Sequence, residues 1–256
     1  MGDKTKIEWA TATWNPIDGC TPISEGCKHC YAANIARRFW GERKFYNVRF
    51  HRERLEHPLI WKKPKMIFVC SMGDLFHPKV KVADLNAIFS VIEESWAAGK
   101  GHVFMILTKR PARMKKYIEE HQYCETSIIY QETSNVWLGV TAENQKWGSE
   151  RIPILLEIPA AKRFLSIEPM LKPIVMQHPW IYQPVSAIDY WQRIGYDDPN
   201  PSRGIPLDWV ICGGETGAGA REMNPEWARS LRDQCRSAGV PFFSSRCQKK
   251  LPPPKT

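Results

Sequence analysis

Short runs of apolar, largely β-branched and aromatic residues recur along the chain, and their spacing limits the possible folds more than any other feature. They are Met66–Ser71 (MIFVCS), His102–Thr108 (HVFMILT), Asn135–Thr141 (NVWLGVT), Lys162–Glu168 (KRFLSIE), Leu207–Gly214 (LDWVICGG) and the shorter Val240–Phe243 (VPFF). Near-continuous runs of this length suit strands of a parallel sheet covered on both faces. The stretches between them are amphipathic. Leu85, Ile88, Phe89 and Ile92 share one helical face of a segment that stops at Gly99. A second helix opens on Pro111, and a third has Asn224 as N-cap, Pro225 at its first position and Gly239 as terminator.

Strand–helix alternation with short connections predicts an α/β protein built as a partial TIM-type (β/α)6 barrel with parallel strands. A doubly wound open parallel sheet is the alternative. Residues 1–243 are expected to form one domain. The polar, Pro-rich and aromatic stretch 183–206 is too long for an ordinary connection and reads as a lid insertion over the barrel mouth. Residues 244–256, ending KKLPPPKT, read as an irregular tail.

Charge narrows the partners. With 36 Lys+Arg against 27 Asp+Glu, the net charge of +9 favours a polyanion, chiefly nucleic acid (DNA or RNA). No apolar run reaches membrane-spanning length and MGDKTKIEWA has no secretory core, so a cytoplasmic protein without a membrane partner is expected. In that compartment the eight cysteines are thiols or metal ligands rather than a disulfide framework.

Each strand hands over to polar residues at its carboxyl end, the edge at which parallel α/β sheets bind ligands. These are Ser71 and Asp74, then Thr108 and Lys109, then Thr141, Glu143 and Asn144, then Glu168, and finally Gly213, Gly214 and Glu215. Asp74, Lys109 and Glu168 are candidate catalytic groups. Ser71, Asp74, Thr108, Thr141, Glu143, Asn144, Glu168, Gly213, Gly214 and Glu215 are candidate cofactor contacts. The Gly-rich segment after Glu215 has neither the dinucleotide fingerprint nor the Gly-Lys-Ser/Thr ending of a Walker loop.

Three cysteines, Cys20, Cys27 and Cys30, crowd one loop, TWNPIDGCTPISEGCKHCYAANIARRF. Structural zinc would require a fourth ligand, and His29 is awkwardly placed between two of the thiols. A redox pair would use Cys27 and Cys30 and leave Cys20 unexplained. A [4Fe–4S] cluster held by three thiolates, with one iron open to a small molecule, accounts for the count without a missing partner.

Together TWNPIDGCTPISEGCKHCYA, MGDLF, LTKRP, GVTAEN, SIEPM and GGETGAGAREMNPEW resemble a phage- and prophage-encoded family of three-cysteine proteins that is radical-SAM-like and distantly similar to spore photoproduct lyase. The resemblance runs from about Lys6 to Phe243. It implies a partial barrel with a [4Fe–4S] cluster on Cys20, Cys27 and Cys30, and S-adenosylmethionine on the open iron. Reductive cleavage to a 5′-deoxyadenosyl radical would follow, with an electron donor such as flavodoxin or ferredoxin as partner. Two features depart from the wider superfamily: six residues separate Cys20 from Cys27 instead of three, and Gly213-Gly214-Glu215 follows a late strand instead of an early one.

Beyond the cysteines, Arg37, Arg38, Arg43, Lys44, Arg49, Arg52 and Arg54 alternate with Phe39, Trp40, Phe45, Tyr46 and Phe50. Cations for phosphates and flat rings for unstacked bases suit single-stranded or flipped nucleotides. A helix with aromatics in the core and solvated arginines has the same pattern. The expected function is radical modification or repair of a nucleic acid base. The alternatives are a nucleic-acid-binding module with a zinc–cysteine site, or a radical enzyme acting on a peptide or small molecule.

Overall fold

All six apolar runs become parallel strands of one sheet, and a seventh strand joins them at its edge. The structure is a computed structural model and describes residues 5–120, 135–158, 160, 162–177, 180–181, 207–217 and 219–245. The expected lid at 183–206 and all of the tail beyond residue 245 lie outside the described residues.

In chain order the sheet strands are β1 (Ala12–Trp14), β4 (Met66–Val69), β5 (Val103–Thr108), β6 (Val136–Thr141), β7 (Lys162–Ile167), β8 (Trp209–Cys212) and β9 (Phe242–Ser244). A small antiparallel pair, β2 (Ile17–Asp18) with β3 (Arg49–Phe50), stands apart. The helices are α1 (Tyr31–Phe39), α2 (His57–Ile60), α3 (Val82–Ala97), α4 (Pro111–Glu120), α5 (Gln145–Glu157) and α6 (Pro225–Ser237).

Spatial order follows chain order without reversal. A doubly wound sheet needs a point where the order turns back, so this curled, singly wound sheet is a partial barrel. It has seven strands, one more than the six expected. The extra strand, β1, is only three residues long, too short for periodicity to register. Pairing with Ile67, Phe68 and Val69 holds it, and Trp14 is fully buried, its indole N–H donating to the Arg54 carbonyl at 2.8 Å. Asn224 caps α6, as the sequence predicts, and Asn144, offered by the sequence only as a cofactor contact, caps α5; each side chain accepts a backbone N–H of the first turn. No helix among the described residues is long and apolar enough to cross a membrane.

The two faces of the sheet have different work. Ile67, Val69, Phe104, Ile106, Leu138, Val140, Leu165 and Ile167 pack with the helices in the main core. The alternate residues Phe68, Met105, Phe164 and Ile211 face the concave side, with the partly buried Trp137, Trp209 and Phe243. Among the described residues that side carries no helix residue; Trp9 and Ala10 from the N-terminal segment lie over it instead. The Trp9 ring centroid is 4.7 Å from Phe68 and 6.4 Å from Phe164, so the bowl is floored with interlocking rings. Gly139 makes room for this layer, because a Cβ there would sit 2.6 Å from the Phe164 ring. Gly139→Ala should therefore cost about 1–3 kcal/mol through overpacking, read by urea unfolding; wild-type stability would mean that the ring can yield.

Candidate functional site

β1 delivers the chain directly into the cysteine loop, which lies across the carboxyl ends of the other strands. At its entrance the backbones of Gly19 and Gly73 pair as an isolated bridge. A Cβ on Gly73 would lie 2.9 Å from the Gly19 carbonyl, so the approach needs glycine. The loop then runs through a short turn at Glu25–Cys27 into α1, with Cys30 as its N-cap residue. Cys20, Cys27 and Cys30 are all free and partly exposed.

Strand-end residues grip this loop. From β5, Arg110 donates to the Cys20 sulfur at 3.5 Å and to the Thr21 carbonyl at 2.9 Å. Asp74 holds Arg110 in place through a 2.8 Å ion pair, and also accepts from the Thr108 hydroxyl and from the backbone N–H groups of Phe76 and Lys109. His77 Nε2 lies 2.9 Å from the Thr21 hydroxyl. Burial and the Arg110 charge push the His77 pKa down to about 4, and its Nδ1 accepts from Lys79 N–H, so the neutral ring carries its proton on Nε2 toward Thr21.

Glu143, at the end of β6, is fully buried. It pairs with Lys109 at 2.7 Å and Arg151 at 3.1 Å, and accepts from the Ser24 hydroxyl at 2.5 Å. Burial alone would raise its pKa, but the two cations hold it below the usual carboxylate range. Gly26 lies directly on this carboxylate: a Cβ there would stand 2.5 Å from Glu143 Oε1. One residue earlier, Glu25 accepts from Asn144 at 2.8 Å and from the Trp147 indole at 2.7 Å, and its pKa falls to about 2, chiefly through the Trp147 hydrogen bond. Arg221 closes the far side. It donates to the Glu25 carbonyl at 2.9 Å while binding Glu215 through its backbone N–H, Nε and Nη2.

The expected cofactor contacts are thus brought to one edge, but most are occupied by the protein itself. Asp74, Thr108, Lys109, Glu143, Asn144 and Glu215 hold the cysteine loop or its supports. Thr141 offers its carbonyl to Arg151, and buried Ser71 donates to Asn15 while its carbonyl accepts from the Tyr31 hydroxyl at 2.5 Å. Gly213 closes against Glu168, where a Cβ would meet Oε1 at 2.5 Å, and Gly214 lies beside Met223. Glu168 differs from the other strand-end carboxylates. Its hydrogen bonds come from the neutral donors Trp9, Ser166 and Ser245, and it has no cationic partner among the described residues. Burial pushes its pKa up, against the opposing effect of those hydrogen bonds.

Sequence reasoning missed Ser24, Glu25, Arg110, Arg151 and Arg221 as functional supports. Arg110 was visible beside Lys109 in LTKRP, but nothing local marked the others. Among the described residues no group of three His, Cys, Asp or Glu side chains is gathered as one metal ion requires.

Residues 4–249 match the family model described as "Protein of unknown function (DUF5131)". The chain belongs to this family. The match spans nearly the whole of it, including the cysteine loop and every strand end described above. No curated protein matches the chain.

Burial, and then the nearby Asp74 charge, push the Cys20 thiol up to about 11, so the neutral thiol is favoured there. Arg110 already donates to that sulfur. Arg151, within electrostatic range of Cys27, keeps Nε and Nη2 buried without a hydrogen-bond partner among the described residues. Two orphaned cationic donors suit an anionic neighbour.

Two outcomes follow from the Glu143 knot. With its folded pKa depressed, Glu143 contributes stability that is complete above the ordinary value of 4.5 and is lost as pH falls through the folded value. Stability measured across that acid range should accordingly fall less steeply in Glu143→Gln than in the wild type. Gly26→Ala should displace the loop from Glu143 and cost about 1–3 kcal/mol through overpacking, read by urea unfolding.

Proposed function

We propose that this chain is an iron–sulfur enzyme of the radical S-adenosylmethionine type that acts on a nucleic acid base. The observation that carries the reading is the position of the cysteine loop: three free thiols directly after the first strand of a singly wound partial barrel, held at the carboxyl edge from β4, β5, β6 and β8. Cys20, Cys27 and Cys30 would hold a [4Fe–4S] cluster. The chemistry supplied there would be one-electron reduction of S-adenosylmethionine to methionine and a 5′-deoxyadenosyl radical, with the electron coming from a low-potential donor such as flavodoxin or ferredoxin.

The protein's own residues prepare this chemistry. Arg110 stabilises charge on the Cys20 sulfur, and Lys109, Arg151 and Ser24 fix the loop through Glu143. Glu168, its carboxyl raised by burial and free of cations among the described residues, is the group suited to hold or deliver a proton at the mouth. The net charge of +9 and the exposed arginines after the loop support a polyanionic substrate.

Anaerobic reconstitution with iron and sulfide tests the reading. A brown protein is expected, whose reduced EPR signal changes on adding S-adenosylmethionine and which releases 5′-deoxyadenosine. A colourless, zinc-loaded protein overturns it. Cys27→Ala and Cys30→Ala should abolish iron loading, whereas Cys235→Ala, a buried helix thiol, should load normally; equal loading in all three would refute the ligand assignment. Glu168→Gln should load iron and unfold like the wild type while losing turnover, and loss of the folded state would make Glu168 a structural residue.

A further inference from the structure

Helix α1 leaves the cysteine loop with an uncovered ladder. Tyr31, Ile35 and Phe39 recur every four residues and are 43%, 40% and 68% exposed, while Ala32 and Ala36 seat the helix on the body. Four residues turn an α-helix by about 400°, so the three side chains stay within about 80° of arc along about 12 Å of axis. Tyr46, 55% exposed, adds another ring beyond the helix. Exposed aromatics grouped in this way mark a contact surface rather than ordinary scatter.

The surrounding charge selects the kind of contact. From Lys28 to Arg52 the chain carries seven Lys and Arg residues and a single acid, Glu42. Arg43 is engaged with Asp18 and stacks on Trp40 at 4.2 Å. Arg38, Lys44 and Arg49 remain exposed, with the Arg38 guanidinium 5.1 Å from the Phe39 ring centroid. The Tyr31 hydroxyl is turned inward to the Ser71 carbonyl, so its ring cannot sink tip-first into an apolar phase. A tethered ring flanked by cations offers what an unstacked base and its phosphate require.

We infer that α1 is a stacking rail for single-stranded nucleic acid, which runs along Phe39, Ile35 and Tyr31 toward the cysteine loop with its phosphates on Arg38 and Lys44. The ladder spans about three to four nucleotides at the stacked rise of about 3.4 Å. Its first rung, Tyr31, is joined in sequence to Cys30, so a strand on the rail has its leading base at the mouth. The assignment rests on the nucleic acid reading above but requires no cluster for binding.

Fluorescence anisotropy on the full-length protein tests it, with a labelled single strand of about 12 nucleotides as DNA and as RNA, the matching duplex, and anionic phosphatidylserine vesicles as probes. The single strand should bind more tightly than the duplex. Phe39→Ala should weaken it about tenfold. Arg38→Gln with Lys44→Gln should flatten the log–log salt dependence by about 0.7 per charge removed. Cys27→Ala should bind like the wild type. Equal affinity for duplex, an unaffected Phe39→Ala variant, or binding to vesicles alone would each overturn the rail. Iron loading and cofactor cleavage alongside an unaffected Phe39→Ala variant would remove the rail and leave the enzymatic reading. Intact rail behaviour in a protein that takes up no iron would do the reverse.

Discussion

A single buried carboxylate organises the mouth of this protein. Glu143 reaches backward through Ser24 and Gly26 to the cysteine loop, sideways through Lys109 to the neighbouring strand, and outward through Arg151 to its own helix. Removing one partner of such a buried network leaves an uncompensated charge, at a typical cost of about 3–5 kcal/mol. The loop is therefore fixed by the same ionisation that fixes the strand ends. Position and protonation are coupled, and the three thiols receive a defined setting from a segment with almost no regular structure of its own.

Around that knot the polar residues divide into two groups. Asp74, Lys109, Asn144 and Glu215 look inward and are engaged by protein partners. Glu168, with neutral donors only among the described residues, and Arg151, with two unpaired donors, have capacity left. A strand-end position therefore marks where a site lies, whereas the saturation of each side chain decides what it can still bind. In the proposed enzyme, Glu168 is the strand-end carboxylate left for cofactor or substrate, since Arg151 is buried with its guanidinium over the Trp147 ring.

Much of the fold was legible because its determinants are local. Apolar runs, Asn224 as a cap, and terminating glycines each act within a few residues, and the strands and helices they mark appear where they point. The strand β1 was not legible, since three residues carry no period and its stability comes from pairing with β4, more than fifty residues away. The site was legible as a place but not as a circuit. Ser24 meets Glu143 across 119 residues, and Arg221 meets Glu25 across 196, with no pattern in either stretch to announce the partner. The aromatic–basic segment was ambiguous for a related reason: periodicity cannot tell an inward ring from an outward one, and burial decided it, leaving Phe39 and Tyr46 in solvent.

The packed floor of the bowl sets the scale of whatever is handled there. With Trp9, Phe68, Phe164 and Trp209 interlocked beneath the rim, depth is already spent on the protein's own rings. A reactant then meets the molecule from above, offering one protruding group while the rest of it stays outside. Such a geometry imposes no upper limit on length, and a polymer can be served as readily as a monomer.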